Sequence, residues 1–223
     1  MRTLYLDCKS PPKFFRSLAN HGYLPRDGMN ISIPMILQAA MDGFNVGPNP
    51  IIFAAKVGLL SGDAFPTMDL DALKLHNLIE HDASISRNDL AVTGDNLQFN
   101  ETIFTTLANP NPGVDYYNGT SAAQVQNTRL TISLTTNPNI TNTRKEIIMR
   151  TLESSLYLSV MGNALTEIFF REERMPIAEG WKRSNITITA DTLNPIESEI
   201  ILASNWTQTQ ACEDFVIGPG IVL

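Results

Sequence analysis

Apolar residues recur at helical spacing in one segment after another of this chain, and nearly every such segment is cut off by a glycine or a proline. That pattern predicts a set of short and medium helices packed on one another. Ser32 can cap a helix that carries Pro34 in its first turn, with Met35, Ile36, Ala39 and Ala40 on one side and Gly43 as its stop. Pro50 opens a second helix through Ile51, Ile52, Ala55 and Leu59, closed by Gly62. Thr67 or Asp69 caps a third, on which Leu70, Leu73, Asn77 and Glu80 stack along one side. Residues 88–118 read as irregular, with a short helix near Glu101–Leu107. Further helices are predicted from Gly119 to about Ser133, from Thr141 to Met161 with Gly162 as stop, and from about Leu165 to Arg174 before Pro176. A last one starts at Asn194-Pro195 and runs through Ile200 and Leu202, and the alternation Ile186-Thr-Ile-Thr suits a short strand. The expected fold is all-α, one domain over residues 1–223.

The chain is long enough to bury a core without staples. Its net charge of −7 argues against nucleic acid and against an anionic membrane surface as the main partner. No stretch reaches the roughly 18 apolar residues of a membrane span, and the first residues carry no uninterrupted apolar run of a signal peptide. Six Asn-x-Ser/Thr sequons, at Asn30, Asn100, Asn118, Asn139, Asn185 and Asn205, point to a secreted glycoprotein. Two cysteines, Cys8 and Cys212, make neither a disulfide framework nor a four-ligand zinc site.

Three segments carry candidate chemistry. In Glu80-His81-Asp82-Ala83-Ser84, Glu80 and Ser84 are four apart, so on a helix they share a face that could hold a hard cation, with His81 pointing off it; a solvated helix end is the plainer reading. Glu153 has Met149, Arg150, Leu156 and Tyr157 as helical neighbours. Apolar neighbours should desolvate the carboxylate and suit it to acid–base work, whereas Arg150 offers an ordinary helix-surface ion pair. His21, in a polar turn after a short apolar run, reads as a satisfied structural histidine. No Gly-x-Ser-x-Gly elbow, P-loop or Rossmann fingerprint is present.

Taken in order, the segments Leu18-Ala-Asn-His-Gly-Tyr-Leu-Pro-Arg-Asp-Gly28, Gly43-Phe-Asn45, Lys56-Val-Gly-Leu-Leu60, His76-Asn77 and Glu80-His-Asp-Ala-Ser-Ile-Ser-Arg87 resemble the fungal haem-thiolate peroxidases, the family of chloroperoxidase and the short unspecific peroxygenases. Asn137-Pro138, Glu153-Ser-Ser-Leu-Tyr-Leu-Ser-Val-Met-Gly162 and Arg174-Met-Pro-Ile-Ala-Glu-Gly-Trp-Lys182 continue the likeness. The resemblance implies a helical bundle of the chloroperoxidase/peroxygenase type around one haem b. It implies hydrogen peroxide as oxidant and a small organic molecule or halide as substrate. Carried over, Glu153 is the acid–base and His81 its partner, while Glu80, the His81 carbonyl and Ser84 bind Mg²⁺ or Mn²⁺.

The chain departs from the family where the axial cysteine belongs. Aligned on Leu18, the family's Ser-Pro-Cys-Pro segment meets Ser10-Pro11-Pro12-Lys13, so Pro12 stands at the ligand position. Cys8, four residues upstream, is the nearest thiolate, and a binding protein that has lost its axial ligand is the other reading. The stretch from Gly162 to Phe169 is shorter than the family's. Cys212 leaves open an intermolecular disulfide in a homodimer and a buried free thiol.

Overall fold

A computed structural model describes residues 13–62, 64–108, 118–161, 166–204, 216–218 and 221–222. Cys8, Pro12, Cys212 and residues 162–165 lie outside them, and with them the questions of the axial ligand, the dimer and the shortened stretch.

The described residues are mostly helical, as the spacing predicts. Lys13–Asn20 (α1) buries Phe15, Leu18 and Ala19. Ile33–Phe44 (α2) has Ser32 as its cap, whose hydroxyl accepts the Met35 N–H, and Pro34 in its first turn. It ends at Asn45, not at Gly43, because Asn45 takes the left-handed conformation (φ 59°) that closes the last turn. Pro48–Leu59 (α3) starts two residues before the expected Pro50, since Pro48 is itself preset for a first turn. Leu90–Thr93 (α4) and Glu101–Ala108 (α5) are short, and Gly119–Thr136 (α6) is capped by Asn118. Arg144–Met161 (α7) begins later than Thr141. The Glu146 carboxylate reaches back to the Thr143 N–H (2.8 Å) and hydroxyl and fixes the start there. Thr166–Arg171 (α8) and Ala190–Ala203 (α9) complete the set. Pro195 sits inside α9 and does not open it; Thr189 and Thr192 form the cap.

The expected third helix fails. Only Leu70–Lys74 form a turn of 3-10 helix, and residues 75–89 run as a pinned loop. Asn77 (φ 65°) and Ala83 (φ 59°) both take left-handed backbone angles, which no continuing helix allows. Strands are minimal: Ile31–Ser32 (β1) pairs antiparallel with Thr67–Met68 (β2), and Val216–Gly218 (β3) with Ile221–Val222 (β4). Ile188, in the alternating segment, makes a single bridge to Val46.

The core lies between these helices. α6 and α7 both pack on α9, α2 packs on α3, and α5 packs on α6. Phe44, Phe104, Leu18, Ile36 and Leu193 are fully buried within it. No described helix is long and apolar enough to cross a membrane.

Candidate functional site

The loop 75–89 is fixed from three sides. Arg129 of α6 donates from Nε to the Ser84 carbonyl (2.8 Å). The Asp89 carboxylate accepts the Ala83 N–H (2.9 Å) and the Asn137 side-chain amide (3.1 Å). Asp82, fully buried, accepts the Thr141 N–H (3.1 Å), and burial pushes its carboxyl above the ordinary range. Arg150 of α7 reaches the same stretch. Its Nη1 lies 3.5 Å from the Asp82 carbonyl and Nη2 donates to the Asn142 side chain. Burial lowers Arg150 to about 10. The residue expected on a helix surface is 3% exposed and holds the loop.

So held, the loop presents His81 to Glu153. Nε2 of the buried imidazole is 3.4 Å from Glu153 Oε2, and Nδ1 donates to the Asp82 carbonyl at 2.8 Å. Burial alone would lower the His81 pKa; the hydrogen bond and charge of Glu153 outweigh it, and the net shift is upward. Glu153 differs from its expectation, since its side chain is 49% exposed and not desolvated by its apolar neighbours.

The cation set is less assembled. Without a helix, Glu80 and Ser84 do not share a helical face. Glu80 Oε2 instead meets His76 Nδ1 at 2.6 Å, and that contact, foremost, raises the His76 pKa. His76 Nε2 lies 3.7 Å from Asp82. Ser84 Oγ accepts the Ser86 N–H at 3.4 Å. Among the described residues no group of three or more His, Cys, Asp or Glu is arranged to hold a metal. His21 is the satisfied histidine expected, its Nε2 accepting the Met175 N–H at 3.0 Å.

His81, Glu153, Glu80 and Ser84 line one cavity with Phe14, Ile79, Leu156, Tyr157, Val160, Phe169 and Phe170. Its volume, about 150 Å³, matches an apolar cavity known to take up benzene. Lys13, Arg87 and Gln126 line it as well. Sequence reasoning missed the last three as cavity residues, because nothing in local spacing marks a buried cation or amide.

The family model for "Peroxidase, family 2" matches residues 15–186. The chain belongs to this peroxidase family. Peroxide-dependent oxidation is therefore its class of chemistry, and the resemblance read from the ordered motifs holds. The chain is similar to an aromatic peroxygenase of Coprinellus radians, 28% identical over 217 residues that cover 82% of each chain. It is similar to an aromatic peroxygenase of Cyclocybe aegerita, 32% identical over 154 residues, 60% of this chain and 41% of that one. A dothistromin biosynthesis peroxidase of Dothistroma septosporum is 31% identical over 122 residues, 46% of this chain and 29% of the relative. The matches thus span less than half the length of the latter two peroxidases.

Proposed function

We propose that this family 2 peroxidase is a haem oxidoreductase of the peroxygenase or haloperoxidase kind. In this reading Glu153 moves the peroxide proton and His81 positions it, for oxidation of a small organic substrate or halide. The observation that carries the proposal is the 3.4 Å approach of His81 Nε2 to Glu153 Oε2 on the wall of a largely apolar cavity.

The donor chemistry fits haem on this side of the cavity, with a carboxylate and an imidazole side by side and Phe14, Leu156 and Phe170 as apolar walls. A porphyrin exceeds about 150 Å³, so haem needs room beyond the cavity as these residues enclose it. Both cysteines that could supply the axial thiolate, Cys8 and Cys212, lie outside the described residues. When bound, haem supplies the iron at which the peroxide O–O bond breaks, a cleavage that a thiolate favours.

The chain's own residues do the proton work. Nδ1 of His81 is committed to the Asp82 carbonyl, so Nε2 is the nitrogen that faces Glu153. A protonated His81 holds the Glu153 carboxylate in place, and a carboxylate oxygen accepts the peroxide proton and gives it back. Glu80, the His81 carbonyl and Ser84 offer oxygen donors suited to Mg²⁺ or Mn²⁺ once Glu80 leaves His76. Secretion and glycosylation belong to the same proposal, supported by sequons of which Asn30, Asn139 and Asn185 are exposed.

A second reading, a binding protein without the thiolate, is favoured by Lys13, which directly follows Pro12 and is buried in the cavity wall. An absorption spectrum of haem-supplied protein, reduced under carbon monoxide, separates the two. A thiolate-type Soret shift supports the peroxygenase reading, and Cys8→Ala then shows which cysteine is bound. Absence of any haem supports the binding protein.

A further inference from the structure

Between α6 and α7 the cavity wall holds an amide that the protein satisfies on one side only. Gln126 is fully buried, and its Nε2 donates to the Arg150 carbonyl (3.1 Å) and to the Ser154 hydroxyl (2.6 Å). A backbone carbonyl can only accept, so the amide nitrogen must face α7 and the oxygen must point elsewhere. That oxygen, Oε1, is buried and has no hydrogen-bond donor among the described residues. Ser154 is 3% exposed; its oxygen accepts from Gln126, and its own hydrogen meets no acceptor among the described residues. Gln126, Arg150 and Ser154 all line the cavity, and Ser154 directly follows Glu153 along α7. Leaving a buried amide oxygen bare costs the desolvation of that group with nothing in return. An unused acceptor beside an unused hydroxyl hydrogen, in a largely apolar cavity, is matched by one group that both donates and accepts.

We infer that Gln126 and Ser154 form a hydroxyl-reading subsite of the cavity, and that its occupant is a small aromatic ring carrying one hydroxyl. The hydroxyl donates to Gln126 Oε1 and accepts from Ser154 Oγ, while Leu156, Val160, Phe169 and Phe170 receive the ring in a volume suited to one. An ether oxygen takes the Ser154 hydrogen but leaves Oε1 bare, and a hydrocarbon leaves both unpaired. A site with buried polar groups rejects the analogue that cannot pair them. The inference names the substrate class for the cavity proposed above and rests on that reading for its place in catalysis. The test reads binding without peroxide, so a failure of the proton-transfer reading leaves its result standing.

The experiment is calorimetric titration of the full-length protein, as purified, with phenol, anisole and toluene. Phenol should bind at least about tenfold tighter than toluene, which has nearly its shape and no hydroxyl. A wall without free polar groups gives the opposite order, because taking a hydroxyl out of water is costly unless it is paired. Anisole keeps the oxygen but has no hydrogen to donate, so it should bind at least about fivefold weaker than phenol. Gln126→Met should bring phenol down to the toluene value. Ser154→Ala, which leaves Oε1 in place, should weaken phenol by less and keep it tighter than anisole. Toluene that binds as tightly as phenol in wild type, the result that a resident water on the amide would also give, overturns the inference. So does anisole that matches phenol, and so does binding of none of the three. Because these comparisons use wild-type protein, they hold even if a variant fails to fold.

Discussion

Glu153 Oε2 and His81 Nε2 lie 3.4 Å apart, while the other nitrogen of the ring is tied to the Asp82 carbonyl at 2.8 Å. The imidazole therefore has one orientation, and the carboxylate it faces is half exposed on the cavity wall. Replacing Glu153 by Gln keeps the size and a hydrogen bond and removes the base. Peroxide-dependent turnover of haem-loaded protein should fall by roughly 10²- to 10⁴-fold, the usual worth of a general acid–base. Steady-state rates at several peroxide concentrations check this, and unchanged turnover would remove Glu153 from the mechanism.

His81 acts through Glu153, so its loss should be smaller and should show a different signature. In His81→Ala the carboxylate loses its positioning partner, and turnover should drop by about 100-fold, as for a misplaced catalytic group. The readout specific to positioning is the pH–rate profile. Against burial, the hydrogen bond and charge of Glu153 raise the His81 pKa above 6.5, so wild-type turnover should fall as the pH rises through that raised value, and this basic limb should be absent in the variant. A drop in rate with that basic limb still present would make His81 a folding residue only.

His21 provides a pH dependence of stability away from the site. Its Nε2 accepts the Met175 N–H and so must be unprotonated, and burial with the nearby charges of Arg174 and Arg26 lowers its pKa from 6.5. A lowered folded-state pKa means that the unfolded chain binds the proton more readily. The stability it contributes is full above about pH 6.5 and is lost as the pH falls toward the folded value. Going from about pH 7.5 to about pH 5.5, wild-type protein should lose more melting temperature than His21→Gln, whose amide cannot titrate. Equal losses would show that the Met175 contact carries no proton linkage.

The cation proposal makes its own prediction. Mn²⁺ is followed by electron paramagnetic resonance as it is added to metal-free protein. Wild type should bind it and gain thermal stability with Mn²⁺ concentration, and Glu80→Ala should do neither. Binding that survives Glu80→Ala would place the ion elsewhere.

The elements legible in the sequence were those whose signals are local. Ser32 with Pro34 marked the start of α2 because cap and first turn lie within three residues. Pro195 misled for the same reason. A proline favours a first turn, but the Thr189–Thr192 cap had already opened α9 and its packing on α6 and α7 tolerated the lost hydrogen bond. The 75–89 loop is not legible as a loop because Leu70 and Leu73 carry a helical period that Asn77 and Ala83 break with left-handed angles, while Asp89 at the loop's own end and Arg129 and Arg150 from distant helices hold the stretch around Ala83. The pairing of His81 with Glu153 was reached only through the ordered motifs, since no spacing rule joins a loop to a helix so far along the chain. Nothing local marks Lys13 for burial, and only the tertiary fold shows it 6% exposed with its ammonium over the Phe99 ring.

Gly43 shows how tightly the packing behind the site is set. It lies in the last turn of α2, where a Cβ would come within 2.5 Å of Leu18 Cδ2, 3.3 Å of Tyr23 and 3.5 Å of Met175. Leu18 is fully buried, so its methyl has little room to move aside. Gly43→Ala gains roughly 1 kcal/mol of helix propensity. Overpacking a close-packed core costs about 1–3 kcal/mol, which offsets that gain and leaves a net loss of about 1 kcal/mol. Urea unfolding should therefore show a lower midpoint with the slope unchanged. Leu18→Ala in the same chain should recover part of that difference, because it removes the methyl that collides. A cycle of the two substitutions with no coupling would mean that α1 shifts away from α2 to admit the methyl, and that the contact between these helices is looser than their packed side chains indicate.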